Sequence, residues 1–137
     1  MGFELHVRGR DVADRWYGMN KTEKLRIGID LDDTITNSPR FFSLMTNAMK
    51  GVADIHIITN REQTEASRKN TEADLRELGI AYHHLAITGD KIQYIEQHAI
   101  QIYFDDMDEN IVGLPASVTV FKIREEWNFD FDEMKWR

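Results

Sequence analysis

Short apolar runs alternate with amphipathic stretches along most of this chain, and no other feature constrains the fold as tightly. Leu25, Ile27, Ile29 and Leu31, with Gly28 among them, mark one run, and residues 54–60 (Asp-Ile-His-Ile-Ile-Thr-Asn) a second. A weaker run covers 83–88, and two more cover 101–106 and 117–123. Between the first two, Ser38 at an N-cap position and Pro39 behind it open a helix that ends at Gly51. A second helix is expected from Glu62 to Leu78, with Gly79 as its stop. Glu65 and Lys69, and Glu72 and Arg76, form i,i+4 pairs on it, and its thin apolar face predicts a surface position. A third starts at Asp90, with Ile92, Ile95 and Ala99 on one face. This alternation predicts an α/β fold, with a mainly parallel five-stranded sheet in a Rossmann-like three-layer sandwich.

The 137 residues suit one domain, read here as 19–137, with residues 1–18 as an appendage. That appendage is either dispensable ahead of Met19 or a short helix from Asp11 to Met19. Cysteine is absent, which removes disulfides and thiolate zinc sites. Hydrophobic residues make up 42%, yet no run approaches the ~18 apolar residues of a membrane span, so no membrane partner is expected. The polar start reads as no secretory signal, and a cytoplasmic location is the expectation. Net charge is −7, and it is unevenly spread: residues 1–26 hold six basic and four acidic side chains, the rest eleven against twenty. Such an acidic body disfavours sequence-independent contact with a phosphate backbone.

Ligands of open α/β sheets bind beyond the carboxyl ends of the strands. Three strand ends here are polar: Asp30-Leu-Asp32-Asp33-Thr34, Thr59-Asn60-Arg61 and Asp105-Asp106. Asp90-Lys91 opens the helix that feeds the last of these. Carboxylates crowded at one sheet end repel, and a bound cation offsets the repulsion. With only carboxylates and carbonyls on offer, Mg²⁺ is the matching ion and zinc is disfavoured. The five histidines do not change this, because adjacent His83 and His84 in a strand face opposite sides. They are read as structural or solvent-facing.

The segment Ile27-Gly-Ile-Asp30-Leu-Asp32-Asp33-Thr34 resembles the first signature of the haloacid dehalogenase (HAD) superfamily, an apolar strand ending Asp-x-Asp-x-Thr. Ile55 to Ile58 with Thr59 resembles the second motif, Lys91 the third, and Phe104-Asp105-Asp106 the acidic fourth, in the family's order. The resemblance implies a phosphatase. In that reading Asp30 is the nucleophile, and Asp32 protonates the leaving oxygen and then activates water. Mg²⁺ is held by Asp30, the Asp32 carbonyl and Asp106. It further implies that Thr59 and Lys91 bind the phosphoryl oxygens, that Thr34 fixes the first loop, and that Asp105 orients the site. Crowding by neighbouring anions is expected to raise the Asp32 pKa. Both places where the superfamily inserts a cap are too short for one, which implies a capless, open site. Such a site suits a bulky phosphorylated substrate: a nucleotide, a phospho-sugar, or a nucleic acid met only as a substrate end. A second subunit can close it, so a homo-oligomer fits. Residues 102–110 and 121–128 also resemble the deoxyribonucleotidase-like branch, which normally carries a helical cap.

Plainer readings apply to several of these residues. Asp33 and Asp90 are read as a turn former and a helix cap. Asn60 and Arg61 either contact substrate or cap the next helix. Trp127, Phe129, Phe131 and Trp136 are expected to cover the core, since five acids against three bases in 124–137 oppose a nucleic-acid platform. The alternative to an enzyme is a non-catalytic phosphate- or metal-binding module on the same fold.

Overall fold

The computed structural model describes residues 23–137 and, ahead of them, two paired strands, β1 (His6–Val7) and β2 (Arg10–Asp11). Asp11 ends β2, and the short helix expected after it falls outside the described residues. Five further strands, β3 (Leu25–Ile29), β4 (Ala53–Thr59), β5 (His84–Ile87), β6 (Ile102–Asp105) and β7 (Thr119–Lys122), form one sheet in the order β5-β4-β3-β6-β7. Every neighbouring pair is parallel, so the sheet is wholly rather than mainly so. Among the described residues, three α-helices connect the strands of this sheet: α1 (Pro39–Met49), α2 (Glu65–Glu77) and α3 (Lys91–Gln97).

The strand order decides which helix covers which face. The chain steps outward from β3 to β4 to β5, then returns past its start to β6. With right-handed crossovers, α1 and α2 fall on one face and α3 on the other. The packing agrees: Ile27, Ile29, Ile55 and Ile57 meet Phe42 of α1 and Leu75 of α2, while Ile58 and Tyr103 meet Ile95 of α3. Strands covered on both faces read as near-continuous apolar runs, which is why β3 and β4 stood out in the sequence. Among the described residues, β3 to β4 contains one loop and α1, and β4 to α3 contains only α2 and β5. No cap domain is present there, and no described helix is long and apolar enough to cross a membrane.

Local chemistry sets the helix ends. Ser38 and Pro39 start α1, although the Ser38 side chain makes no capping bond. Gly79 closes α2 at φ 70°, and the Gly79 N–H to Arg76 O and Ile80 N–H to Leu75 O bonds complete a Schellman stop. Its carbonyl accepts from Ser43 Oγ and Asn47 Nδ2, tying the end of α2 to α1. Only Thr71 and Leu75 of α2 are buried, as its thin apolar face predicts. Glu65 pairs with Lys69, but Glu72 pairs with Arg68 at 3.3 Å, whereas the spacing suggested Arg76. Arg68 also donates to Leu85 O, which holds its guanidinium beside Glu72.

Gly28 sits mid-strand between His56 and Tyr103 in register. A Cβ there would come 2.9 Å from Ile58 Cδ1 and 3.1 Å from Tyr103 Cδ1. Ile58 can swing aside, but the Tyr103 ring cannot without disturbing its bond to Asp105. Gly28→Ala is therefore expected to cost about 1–3 kcal/mol, the usual cost of overpacking, measured by urea denaturation.

After β7 the chain turns into a small hairpin, β8 (Phe129–Asp130) and β9 (Lys135–Trp136). Of the four aromatics expected to cover the core, Phe129 does so, with Trp136 and Phe131 edge-on against it. Trp127, Phe131 and Trp136 remain 44–47% exposed, because a two-strand hairpin has only one inner face to offer. Buried Asn128 fastens the segment: its Nδ2 donates to the carbonyls of Asp106 and Ile123, and its Oδ1 accepts from Glu125 N–H.

Candidate active site

The strand order reverses between β3 and β6, and the carboxyl ends of these two strands meet at the centre of the sheet. Asp30 follows β3, with its N–H on Phe104 O at 3.0 Å, while Asp105 ends β6 and Asp106 follows. Beyond Asp30 the chain makes two wide turns, Ile35 N–H to Asp30 O and Thr36 N–H to Leu31 O. Asp33 takes φ 61° there, a left-handed conformation that short polar side chains tolerate, and its N–H donates to Thr36 Oγ1. Asp90 caps α3 by accepting from Gln93 N–H, which sets Lys91 in the first turn.

Lys91 reaches inward. Its buried ammonium donates to Asp30 Oδ1 at 2.7 Å and to Asp105 Oδ2 at 3.3 Å. Thr34 Oγ1 lies 3.1 Å from Asp30 Oδ2 and 3.2 Å from Asp106 Oδ1, and its single proton serves one of them at a time. Asp105 is fully buried, and its acceptor sites are taken by the Tyr103 hydroxyl, Met107 N–H, Asn110 Nδ2 and Lys91. Asp106 instead lines the cavity above the cluster. The expected residues Asp30, Thr34, Lys91, Asp105 and Asp106 thus come together.

The electrostatics of this cluster ask for a cation. Oxygens of Asp30, Asp105 and Asp106 lie within 4.8 Å of one another, all three residues are buried, and Lys91 is the ammonium among them. Burial above all pushes the Asp30 carboxyl up to about 8; the Lys91 charge opposes this and the Asp105 charge adds to it. Asp106 is raised as well, again chiefly by burial. Left to itself, Asp30 holds a proton at neutral pH. An all-oxygen donor set open on one side fits Mg²⁺, which keeps several waters.

Thr59, at the end of β4, is buried, and its hydroxyl has no hydrogen-bond partner among the described residues. Buried hydroxyls are rarely left so. It lines the same cavity as Asp30, Lys91 and Asp106, a space of about 170 Å³. That is below the ~300–1,000 Å³ of pockets that enclose a whole small molecule, and it suits a group the size of a phosphoryl.

Asp32 departs from its expected state. It lines the same cavity as Asp30, Lys91 and Asp106, but its carboxylate accepts from Arg61 twice, Nε to Oδ2 at 3.0 Å and Nη2 to Oδ1 at 2.8 Å. Arg61 is itself held by Asp74 at 2.8 Å and by Thr71. The Arg61 hydrogen bonds hold the Asp32 carboxyl below the usual range, so crowding by anions does not raise it as expected. Asn60 lines the cavity, and Arg61, left open between substrate contact and helix cap, does not cap α2, whose N-cap is Thr64; it clamps Asp32. Tyr103 and Asn110 were missed altogether. Tyr103 stands two residues before Asp105 on β6, so the strand period placed both on one face and could have signalled the contact.

Sheet order and crossovers define a Rossmann-like α/β fold, with strand-end acids and an inward lysine at the point where the strand order reverses. No family model matches the chain, and no curated protein matches it. A chain in the solved Pnkp1/Rnl/Hen1 complex superposes with a TM-score of 0.56 at 15% identity, covering 76% of this chain and 47% of that one. The chain thus spans about half the length of the structure it matches, and the likeness is one of fold.

Proposed function

We propose that the chain is a Mg²⁺-dependent phosphomonoester hydrolase that works through an aspartyl-phosphate on Asp30. The observation that carries this reading is the unpartnered buried hydroxyl of Thr59, beside Lys91 and Asp30 in one phosphoryl-sized space. Asp30 attacks phosphorus, forming an acyl phosphate as the ester oxygen leaves, and so splits one slow hydrolysis into two faster steps. Thr59 donates a hydrogen bond to a phosphoryl oxygen, and the Lys91 ammonium neutralises charge that spreads over these oxygens in a loose transition state. Thr34 orients Asp30 and Asp106, and Asp105 holds Lys91 in place. Asp30, Asp106 and the Asp32 carbonyl would hold Mg²⁺, which supplies positive charge to the transferring group. Asp32 gives a proton to the leaving oxygen and later takes one from water, which requires it to leave Arg61. The short connections around the site favour a bulky substrate such as a nucleotide, a phospho-sugar or a nucleic-acid end.

The Arg61 clamp favours a second reading, a non-catalytic phosphate- or metal-binding module in which Asp32 stays locked. Hydrolysis of an aryl phosphate with and without Mg²⁺ separates the two. The enzyme reading expects metal-dependent turnover. It also expects Asp32→Asn to accumulate phosphoenzyme from substrates with good leaving groups, detected as covalent phosphate on the acid-quenched protein. Turnover by Asp32→Asn equal to the parent refutes the acid-base role, and no turnover on a broad ester panel favours the module.

A further inference from the structure

A second cluster of ligand-type side chains lies away from the cavity, in the amino-terminal half of β4. Asp54 and His56 stand two residues apart on that strand and so project from one face, and His56 is the register partner of His84 on β5. The Asp54 carboxylate faces both rings, with Oδ2 3.2 Å from His56 Nε2 and Oδ1 3.0 Å from His84 Nε2. Ligand atoms of the three residues lie within 4.8 Å of one another. The two imidazoles stack with centroids 4.3 Å apart, so both present their Nε2 on the side of the carboxylate.

The support around this trio is that of a metal site. His56 is buried, and its other ring nitrogen lies 2.7 Å from the Tyr94 hydroxyl on α3. A hydroxyl accepts as readily as it donates, so the ring can carry its proton on Nδ1 and keep Nε2 free for an ion. The opposite side is open: the His84 side chain is half exposed and that of Asp54 about one-third. Both can turn outward to let an ion between them and His56. His83 is not available in the same way, because its Nδ1 accepts from Ile55 N–H.

We propose that Asp54, His56 and His84 bind a divalent transition-metal ion of the zinc class, at a site separate from the strand-end acids. Two imidazoles and one carboxylate with an open fourth direction suit zinc, whereas Mg²⁺ prefers oxygen alone. His56 lies three residues before Thr59, about 10 Å along the strand, so the two sites do not share ligands. An ion here ties the four-residue edge strand β5 to β4.

The test needs no catalytic readout. Co²⁺ is titrated into the full chain in excess Mg²⁺, which competes for the acidic cluster, and followed by visible absorption. One equivalent should bind with the ligand-field bands of a nitrogen-containing site, and one equivalent of Zn²⁺ should displace it. His84→Ala and Asp54→Asn, both at the surface, should each abolish the signal. Tyr94→Phe should weaken binding about 10- to 100-fold, and Asp106→Asn should leave it intact. Absence of the bands overturns the proposal. So does a signal that survives His84→Ala and Asp54→Asn, or one that disappears with Asp106→Asn.

Discussion

Asp30→Asn is expected to abolish Mg²⁺-dependent aryl phosphate turnover, by on the order of 10⁴-fold or more, the scale of removing a covalent nucleophile. It should do so without harming the fold. Lys91 keeps Asp105 as a partner at 3.3 Å, and one of three crowded buried carboxylates is gone. The metal-free parent provides the contrast. With its Asp30 carboxyl raised to about 8 from 3.8, the folded state holds a proton that the unfolded chain has released between those values. Stability is therefore greatest on the acid side and is lost as pH rises through 8, by on the order of a few kcal/mol. Urea denaturation in EDTA at pH 5 and pH 8 should show this fall in the parent and a smaller one in Asp30→Asn. In the parent, Mg²⁺ binding near pH 7 should release protons, seen as a buffer-dependent heat in calorimetry. No such release, or full turnover by Asp30→Asn, removes Asp30 from the centre of the mechanism.

Lys91→Met should have the largest effect on stability. The Lys91 side chain is 5% exposed and bridges two buried acids, so its loss leaves Asp105, and Asp30 wherever it is ionised, without their countercharge. Breaking a buried pair from one side costs about 3–5 kcal/mol. For a chain of this size that lowers the melting temperature by roughly 10–20 °C. The double variant Lys91→Met/Asp30→Asn should recover part of the loss, because it removes one of the crowded buried acids. A melting temperature unchanged in Lys91→Met would mean that the ammonium is not the countercharge on which the cluster depends.

The fold was legible because each of its signals is local. Strand-length apolar runs in β3 and β4, the Ser38-Pro39 start of α1 and the Gly79 stop of α2 can be read within a few residues. The acids were legible for a related reason: Asp30 and Asp105 sit at the strand ends themselves, and parallel strands bring such ends together. Arg61 was not legible, since its hold on Asp32 depends on α2 bringing Thr71 and Asp74 alongside, a matter of tertiary placement. The histidine cluster was hidden by register. With His83 and His84 both read as strand residues, neither was assigned to a particular neighbour; the strand begins at His84, and pairing sets that residue beside His56. A shift of one residue would have sent the ring to the other face of the sheet.

Asn128 has a mechanical consequence. One carboxamide grips the carbonyl of Asp106 and that of Ile123, so the loop carrying the acid and the root of the aromatic hairpin share a rivet. The hairpin is then a lever arm rather than a trailing end: a force applied to its half-exposed tryptophan at position 136 is transmitted, through the Asn128 carboxamide, to the backbone of a cavity-lining carboxylate.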